Sequence, residues 1–547
     1  MGFKSLSRVL LLCCVLTITL FANTPKDLSF FDDKPRSLVK DYYIYRYLKK
    51  PTTTSDEADK LLGQTSRMSM KLFHAYAKKL DDPAFKKVSK CLKMKLKPLL
   101  KSDDECLAIK FSIYSATKLD KKELKDVERR LNKYKISKAL HVIYSNNPFE
   151  SMVAGDSELF FTIFNNVGSK YRKKYLDHTV SKKKIKELEN NWNINNTIKY
   201  TVTKRELKNF NKSLIYINRF SKVLSHESLF FLGLNALQLR YKKLAMAFFD
   251  ESYKRAYYRM DKDKVLFWQF LVSKDKKYKK LIEKSFDLNI YTLLSGVKNN
   301  QVIVPKTLKE NHNYDEKNPF GWTKLLKDSK GKNTKELEEM AKNFLYTNTL
   351  PHYSYLMEKA SGYKKHYFPI PYTQYLKKTD KKRVALIMAI ARQESRLIPS
   401  ALSHSYALGM MQFMPFLARA IAKEQNIKNF DLDNMFDPKV ALKFANVHLN
   451  WLERSLYHPL FIAYAYNGGI GFTKKLLQSN TFRKGDYEPF LSMELVYYDE
   501  SRKYGKKVLA NYVTYMQILG ESISIYNLFE KLTIPEETDK FRTTISN

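Results

Sequence analysis

Residues 229–256 read LFFLGLNALQLRYKKLAMAFFDESYKRA and contain two apolar stretches joined by a short polar one. The first stretch reaches Leu239, and Leu244 to Phe249 begin a second apolar face. Short helices with wide apolar faces and brief polar connections are typical of stacked helical pairs, as in an α-solenoid. Similar Lys-rich and aromatic segments run from about residue 24 to residue 296, without a fixed repeat period. We therefore predict an α-superhelical domain, of solenoid or ring form, over residues 23–298.

The composition of the chain favours the same fold class. Its 547 residues include only 16 Gly and 17 Pro, so the chain is poor in the residues that form turns. Hydrophobic residues make up 44% of the chain and aromatic residues 14%, which is enough for more than one buried core. These values exclude wholesale disorder, a collagen-like repeat and a small disulfide-rich scaffold, and they argue against an all-β fold. The sequence predicts an all-α protein.

The chain is strongly basic, because its 97 Lys and Arg exceed its 56 Asp and Glu by 41. Three kinds of partner fit this charge: nucleic acid, an anionic membrane surface, and an acidic polymer such as a peptide-bearing glycan. Lys on solvated helix faces is an equally ordinary explanation. Charge alone does not choose among these possibilities.

The N-terminus has the pattern of a secretory signal. Lys4 and Arg8 precede the apolar run 9–21, and Ala22 closes that run before a polar segment. We expect a signal peptide over residues 1–22, export to the periplasm and no stable membrane anchor after cleavage. An uncleaved anchor is the alternative. The residues before Cys13-Cys14 are not the small ones that a lipoprotein cleavage site prefers, so no lipid anchor is expected.

The segment after the signal contains two cysteines, Cys91 and Cys106. In an oxidising compartment this even pair, close in sequence, is a candidate disulfide that would join two neighbouring helices. Two buried free thiols are the alternative. The 10 His show no HExxH motif and no paired spacing, so we expect no metal site and no metal cofactor.

Two composition changes divide the rest of the chain. Residues 299–319 are polar and rich in turn residues, which is typical of a domain boundary. A further helical stretch runs from about Thr334 to Ala360, and the two prolines in residues 367–372 then interrupt helical structure. We expect a helical linker domain over 299–364 and a last domain over 365–547.

A carboxylate lies on the apolar face of a predicted helix in this last domain. Asp380 is a good N-cap, and the following helix is expected to run from Val384 to Arg396. Ile387, Ile390 and Ala391 mark its apolar stripe, and the next position of that stripe is Glu394. Burial would raise the pKa of Glu394, as a general acid requires. A Glu that turns to solvent or pairs with a neighbouring Arg is the more ordinary interpretation of this residue alone.

Several motifs that follow Glu394 change that interpretation. Ser395, Ser403, the block GMMQFMP at 409–415, the block AYNGG at 465–469 and the block ESRKY at 500–504 have the order and spacing of the C-terminal domain of soluble lytic transglycosylases. The lead-in YFPIPY at 367–372 and the block MFDP at 435–438 are also similar to that family. The specific resemblance covers residues 367–519, whereas upstream it is architectural only.

The resemblance implies an α-superhelical ring and a helical linker domain, followed by a lysozyme-like catalytic domain. It also implies that Glu394 is the single catalytic acid and base. Further residues are implied to line the glycan groove: Ser403, Gln412, Met414, Tyr466, Asn467, Glu500 and Tyr504. The implied partner is the glycan strand of peptidoglycan, with no cofactor and no nucleic acid.

Two positions depart from the family pattern, and one of them is Met410, where the family usually has Leu. The family usually has Gly where Tyr406 stands. If this position needs a positive φ, Tyr is costly there. We therefore expect the loop around Tyr406 to follow a different path from the family's.

The chemistry implied for this family is non-hydrolytic cleavage of the bond between N-acetylmuramic acid and N-acetylglucosamine, which produces a 1,6-anhydromuramoyl end. Ordinary glycosidases use two carboxylates, and no Asp or Glu follows Glu394 until Glu424. Three alternatives remain open: a hydrolytic muramidase on the same fold, an inactive wall-binding scaffold, and a basic nucleic-acid-binding protein. The export signal argues against the last of these.

Overall fold

The computed structural model describes residue 25 and residues 27–297, 301–307 and 311–543. The signal peptide expected over residues 1–22 lies outside these ranges. Nearly all regular structure in the described residues is helical, so the predicted all-α fold class is confirmed. None of the described helices is both long enough and apolar enough to cross a membrane.

Short helices fill the region before residue 298. They are α1 Leu38–Leu48, α2 Ser55–Leu62, α3 Met70–Tyr76, α4 Pro83–Lys93, α5 Leu96–Leu100, α6 Asp104–Lys110, α7 Ile113–Ala116, α8 Lys121–Arg130, α9 Ile136–Tyr144, α10 Pro148–Ala154, α11 Ser157–Phe164, α12 Ser169–Tyr171, α13 Lys182–Leu188, α14 Ile194–Lys204, α15 Phe210–Ser213, α16 His226–Gln238, α17 Lys242–Arg255, α18 Arg259–Ser273, α19 Lys276–Glu283 and α20 Ile290–Leu294.

The apolar stretches at 229–256 form the helix pair α16 and α17, as the sequence predicts. Ser225 begins α16, since its side chain accepts a hydrogen bond from the Ser228 amide. The two helices approach closely at Gly233, where a Cβ atom would lie 2.4 Å from the Phe249 ring. The buried Trp268 of α18 extends this core to the next helix. Each helix therefore buries its apolar face against its neighbours in sequence.

Cys91 of α4 and Cys106 of α6 form a disulfide, with their Cα atoms 5.0 Å apart. The bond joins two helices that also pack against each other. It lies within the N-terminal helical region, on residues that are buried.

A small unit of three helices follows: α21 Pro319–Asp328, α22 Thr334–Lys342 and α23 Leu350–Ala360. A two-residue strand on each side of it, β1 Val302–Ile303 and β2 His366–Tyr367, pairs in parallel. The sequence analysis did not predict this strand pair. The three helices share a core of their own, centred on Leu337 and Leu356 and separate from the main core. This separate core is compatible with a linker domain over 299–364, whose boundaries stay a prediction.

The C-terminal region contains the helices that carry the candidate site. They are α24 Lys381–Ser395, α25 Pro415–Glu424, α26 Pro438–Glu453, α27 Pro459–Gly468, α28 Ile470–Gln478, α29 Phe490–Glu494, α30 Asp499–Ile518, α31 Ile525–Lys531, α32 Pro535–Thr538 and α33 Lys540–Thr543. Helix α30 packs against both α24 and α27. The Asp380 side chain caps α24, which ends at Ser395 because Arg396 adopts a left-handed conformation with φ of 57°.

Buried polar contacts hold the N-terminal helices against α30. The Tyr291 hydroxyl of α20 donates a hydrogen bond to Glu494, and Lys506 Nζ of α30 donates to the same carboxylate at 2.6 Å. Because all three side chains are buried, each needs these partners. The contacts fix the side of α30 that faces the N-terminal helices.

Candidate active site

Three helix ends meet around Glu394, which lies in the last turn of α24. Tyr466 and Asn467 lie at the end of α27, whereas Glu500 and Tyr504 lie in the first two turns of α30. Glu500 and Tyr504 share one face of α30, since residues four apart are neighbours on a helix. The fold thus brings together five of the eight residues that the sequence analysis assigned to the site.

Glu394 is half-buried and accepts a hydrogen bond from the Tyr504 hydroxyl at 2.7 Å. Burial raises the pKa of Glu394 to about 7, and the charge of Glu500 adds to that rise, whereas the hydrogen bond from Tyr504 opposes it. The direction of this shift agrees with the burial of Glu394 that the sequence predicts. A carboxyl group with this pKa exchanges a proton readily near neutral pH.

The alternative in which Glu394 pairs with a neighbouring Arg is wrong. Arg392 and Arg396 both form ion pairs with Glu358 of α23. Glu358 is buried, so its carboxylate needs charged partners, and the two guanidinium groups provide them. These ion pairs lie on the side of α24 that faces α23. In the described residues no cation forms an ion pair with Glu394.

Asn467 and Glu500 form a second polar pair in the site. Asn467 Nδ2 donates to Glu500 Oε1 at 3.0 Å, and the Ser501 hydroxyl donates to Asn467 Oδ1 at 2.7 Å. The approach of Ser501 depends on Gly468, where a Cβ atom would lie 2.6 Å from the Ser501 hydroxyl oxygen. The NGG motif at 467–469 therefore ends α27 and also allows close packing against α30, because Gly468 has no side chain there.

The loop 401–413 forms another wall, and it contains Ser403 and Gln412. Gln412 Nε2 donates to the carbonyl groups of Gly409 at 2.8 Å and of Ala401 at 3.2 Å, so this amide holds the loop's own backbone. The Ser403 hydroxyl accepts a hydrogen bond from the Ala407 amide. The half-buried Met414 follows the loop directly, as the N-cap residue of α25.

Two hydrogen bonds connect this loop to the helices that carry the site. The Ser395 hydroxyl donates to the carbonyl group of Met410 at 2.8 Å. The Tyr466 hydroxyl donates to the carbonyl group of Met411, also at 2.8 Å. The hydroxyl groups of Ser395 and Tyr466 thus position the loop relative to Glu394.

Tyr406 adopts the left-handed conformation that the sequence analysis identified as costly for Tyr, and the expected difference in loop path from the family stays a prediction. Tyr406 has φ of 62°, so a side chain is accommodated in a conformation that favours Gly. Its ring is buried against Tyr42 and Tyr45 of α1, at centroid distances of 5.5 and 5.4 Å. These contacts stabilise a backbone conformation that is costly on its own. The sequence analysis identified Tyr406 as unusual but could not predict its contacts with Tyr42 and Tyr45.

A cavity of about 940 Å³ lies on the side of α24 that carries Arg392 and Arg396, and its lining includes none of the eight predicted site residues. Its walls come from α16, α18, α20, the linker helix α23, α24 and α30, and they include Gln393 and Lys503, the sequence neighbours of Glu394 and Tyr504. Nine Lys or Arg and five Asp or Glu line it, an excess of four positive charges.

Lys507 is one of the cations of this wall that the sequence analysis did not assign to a site. Burial lowers the pKa of Lys507, although the side chain still reaches the open space of the cavity. No carboxylate of the described residues lies within 4.0 Å of its ammonium group. Its position three residues after Tyr504 is the only sequence signal that could have placed it near the site. An ammonium group placed in this way suits an anionic group of a ligand.

The described residues contain no group of three or more His, Cys, Asp or Glu side chains that could hold a metal ion.

Comparison with known proteins places a family domain on this site. Residues 371–488 match the family described as Transglycosylase SLT domain. The soluble lytic murein transglycosylase of Escherichia coli is 28% identical over 168 residues, which are 30% of this chain and 26% of that protein. The protein of the same name from Salmonella typhimurium is 28% identical over 160 residues, 28% of this chain and 24% of its own length. The chain thus matches only about a quarter of the length of these relatives.

Solved structures were compared as well. The lytic transglycosylase Slt of Pseudomonas aeruginosa gives a TM-score of 0.47 at 14% identity, covering 91% of this chain and 75% of that chain. The 70 kDa soluble lytic transglycosylase of Escherichia coli gives a TM-score of 0.45 at 15% identity, covering 91% of this chain and 88% of that chain.

The family match at 371–488 contains Glu394, the loop 401–413 and the NGG motif of α27, and the two relatives carry the family's activity in their names. Residues 371–488 thus match the transglycosylase SLT domain, and in this region the chain is similar to soluble lytic murein transglycosylases.

Proposed function

We propose that this chain is a peptidoglycan lytic transglycosylase with Glu394 as its single acid and base. The observation that carries the proposal is the placement of a half-buried Glu394 within the matched residues, 2.7 Å from the Tyr504 hydroxyl, where burial raises its pKa to about 7. A carboxyl group of this kind is protonated often enough near neutral pH to donate its proton and, once ionised, is basic enough to take one back. The names of the relatives supply the substrate class, murein.

The proposed reaction balances without water. Glu394 donates its proton to the oxygen that bridges C1 of N-acetylmuramic acid and N-acetylglucosamine, and the bond from C1 to that oxygen breaks. The C6 hydroxyl oxygen of the muramic residue then bonds to C1, and the Glu394 carboxylate takes the hydroxyl proton. The products are a 1,6-anhydromuramoyl end and a free N-acetylglucosamine end, and the enzyme is regenerated.

Tyr504 supports both halves of this cycle. Burial and the nearby charge of Glu394 raise the pKa of Tyr504 well above its usual value, so the hydroxyl stays protonated and donates its hydrogen bond. The bond orients the carboxyl group and lowers the pKa of Glu394, whereas the charge of Glu500 raises it. Tyr504 thus lowers the pKa of Glu394 and Glu500 raises it.

We propose that the cationic cavity receives the carboxylates of the peptide stems attached to the glycan. Lys507 and Lys503 line the cavity and are neighbours of Tyr504 along α30. A stem attached to the sugar held at Glu394 would have to pass the end of α24 to reach these ammonium groups, because Arg392 and Arg396, and not Glu394, line the cavity. Such contacts would be weakened by salt wherever they are open to solvent.

The proposed location of the enzyme is the periplasm, where murein is accessible. This location rests on the signal pattern of residues 1–22, and the names of the relatives are compatible with it. Recovery of a mature chain beginning at residue 23 from a periplasmic extract would support this location.

A hydrolytic muramidase on the same fold is the second candidate, and one observation favours it. Glu500 lies near enough to raise the pKa of Glu394, so the site offers a second carboxylate. Digestion of purified wall glycan in oxygen-isotope-labelled water separates the two reactions. Transglycosylation leaves the new chain ends unlabelled, whereas hydrolysis adds one labelled oxygen at each cut. An inactive wall-binding scaffold would release no fragments.

A further inference from the structure

Tyr406 has a positive φ of 62°, a backbone conformation that is common for Gly and unusual for residues with a side chain. It lies in the loop 401–413 of the candidate site. Its side chain is 2% exposed, so nearly all of the ring is covered by other residues. A left-handed Tyr costs free energy that surrounding contacts must offset.

The contacts come from the N-terminal helices. The rings of Tyr42 and Tyr45 of α1 pack on the Tyr406 ring, and the Tyr406 hydroxyl lies 3.4 Å from the carbonyl oxygen of Asp41. Lys71 of α3 places its ammonium group 5.6 Å from the centre of the Tyr406 ring. The same ammonium group donates a hydrogen bond to the carbonyl group of Ser405 at 2.8 Å. Helices α1 and α3 thus hold the tip of the loop from two directions.

Helix α1 also contacts the C-terminal region at a second point. Arg46 forms ion pairs with Asp431 and Asp433, and the Tyr43 hydroxyl donates to Asp433 at 3.2 Å. These contacts do not involve the loop 401–413. The second contact point therefore keeps α1 in place when the Tyr406 contacts are removed, so the loop contact can be tested separately.

The held loop tip is connected to the residues around Glu394. The Tyr406 amide donates to the carbonyl group of Ser403 at 2.8 Å, and the Ser403 amide donates to the carbonyl group of Ala407 at 3.1 Å. Further along, Leu408 and Phe413 exchange two backbone hydrogen bonds. A continuous set of hydrogen bonds therefore runs from Tyr406 through this turn to the part of the loop that Ser395 and Tyr466 hold beside Glu394.

We propose that Tyr406 is a positioning residue through which the N-terminal helices α1 and α3 hold the substrate-binding loop in its binding-competent shape. This inference rests on the proposed function for its kinetic consequence. Tyr406 does not touch the reacting atoms. Loss of its side chain is expected to weaken substrate binding rather than to change the proton transfer at Glu394.

The kinetic experiment compares Tyr406→Gly, Tyr406→Phe and Tyr45→Ala in the full-length chain. Tyr406→Gly removes the ring and relieves the backbone cost, so the fold is kept while the contact to α1 is lost. We expect KM for stem-free glycan fragments to rise at least about fivefold in Tyr406→Gly, with kcat within about twofold of the wild type. The pH at which activity falls should not move. Tyr406→Phe keeps the ring and should restore KM, and Tyr45→Ala should raise KM in the same direction as Tyr406→Gly.

Tyr487 supplies a matched control, because it is another Tyr of this domain with a positive φ of 63°. Tyr487→Gly makes the same chemical change away from the loop, and KM should stay at the wild-type value. If Tyr406→Gly folds and keeps the wild-type KM, the proposal is overturned. A loss of kcat with unchanged KM in Tyr406→Gly would also overturn it, because that pattern indicates loss of folded protein or of chemistry.

Amide hydrogen exchange tests the same inference without activity. The amides of Ser403, Ala407 and Gly409 donate hydrogen bonds within the loop. We expect these amides to exchange at least about tenfold faster in Tyr406→Gly, while amides in the middle of α30 are unchanged. Unchanged loop exchange would reject the positioning role. Since this readout needs no substrate, it remains decisive even if the proposed reaction is wrong.

Discussion

The Tyr504 hydroxyl donates a hydrogen bond to Glu394 Oε1 across 2.7 Å, and the two residues lie 110 positions apart on α30 and α24. The bond joins the two helices at the last turn of α24, where the carboxyl group lies. It also opposes the rise in the pKa of Glu394 that burial causes. The proton affinity of the proposed catalytic group is therefore set by packing between these helices and by their charges.

Replacement of Glu394 by Gln should remove nearly all lytic activity and keep the fold. The amide is nearly isosteric, but it can neither donate nor recover a proton, and general acid catalysis contributes about 10² to 10⁴ in rate. Clearing of a suspension of purified wall glycan measures the effect. Glu424→Gln, at an exposed residue of α25, is the matched control and should keep wild-type activity. More than about a tenth of the wild-type turnover in Glu394→Gln would assign the catalytic role elsewhere, and Glu500 would be tested next.

The neighbours of Glu394 should shift the pH dependence of activity in opposite directions. Glu394 must carry a proton at the start of the reaction, so activity should fall as the pH rises through about 7. Glu500→Gln removes a negative charge that raises the pKa of Glu394, so the fall should begin at lower pH. Tyr504→Phe removes a hydrogen bond that favours the carboxylate, so the fall should move to higher pH. Shifts of kcat/KM in the same direction for both variants would contradict this assignment.

Sequence reasoning predicted the parts of the site that depend on local pattern. Glu394 could be placed because its helix carries an apolar stripe, and the family motifs then assigned roles to it and to Tyr504. The contacts of Tyr406 with α1 could not be predicted, because they join residues more than 350 positions apart. The strands β1 and β2 are two residues long and so leave no recognisable alternation in the sequence. Local patterns thus located the carboxylate, whereas long-range packing determined the shape of its surroundings.

The disulfide between Cys91 and Cys106 should stabilise the N-terminal helices without affecting the chemistry. Its sequence separation is 15 residues, and closing a loop of this length is worth about 3 kcal/mol in the chain-entropy estimate. The double variant Cys91→Ser and Cys106→Ser should unfold at lower temperature, yet cleave glycan at the wild-type rate well below that temperature. Thiol titration of the wild-type protein, denatured without reductant, is the check on the bond itself. Two free thiols from residues 91 and 106 would reject the disulfide.

Lys507 should contribute to binding of peptide stems and leave the glycan chemistry unchanged. Lys507→Gln should raise KM for stem-bearing glycan about fivefold, since one charge-assisted hydrogen bond contributes about 1 kcal/mol or more. Turnover of stem-free fragments should not change. Lys443→Gln, at an exposed residue of α26 outside the cavity, is the control.

Salt provides a second test of the role of Lys507. The wild-type KM for stem-bearing glycan should rise with salt more steeply than that of Lys507→Gln, because screening weakens the contact that the variant lacks. Equal KM values for the variant and the wild type on both substrates would remove the cavity from substrate binding.

Mass analysis of the chain ends formed during digestion tests the central claim most directly. Purified wall glycan is digested with the full mature chain, and the new muramic ends are identified by mass spectrometry. Cleavage by Glu394 alone, with the C6 hydroxyl as the nucleophile, predicts 1,6-anhydromuramoyl ends that are one water lighter than reducing ends. The Glu394→Gln variant should form neither kind of end. Reducing muramic ends produced by the wild type would contradict the account and would instead indicate a hydrolase in which Glu500 takes part.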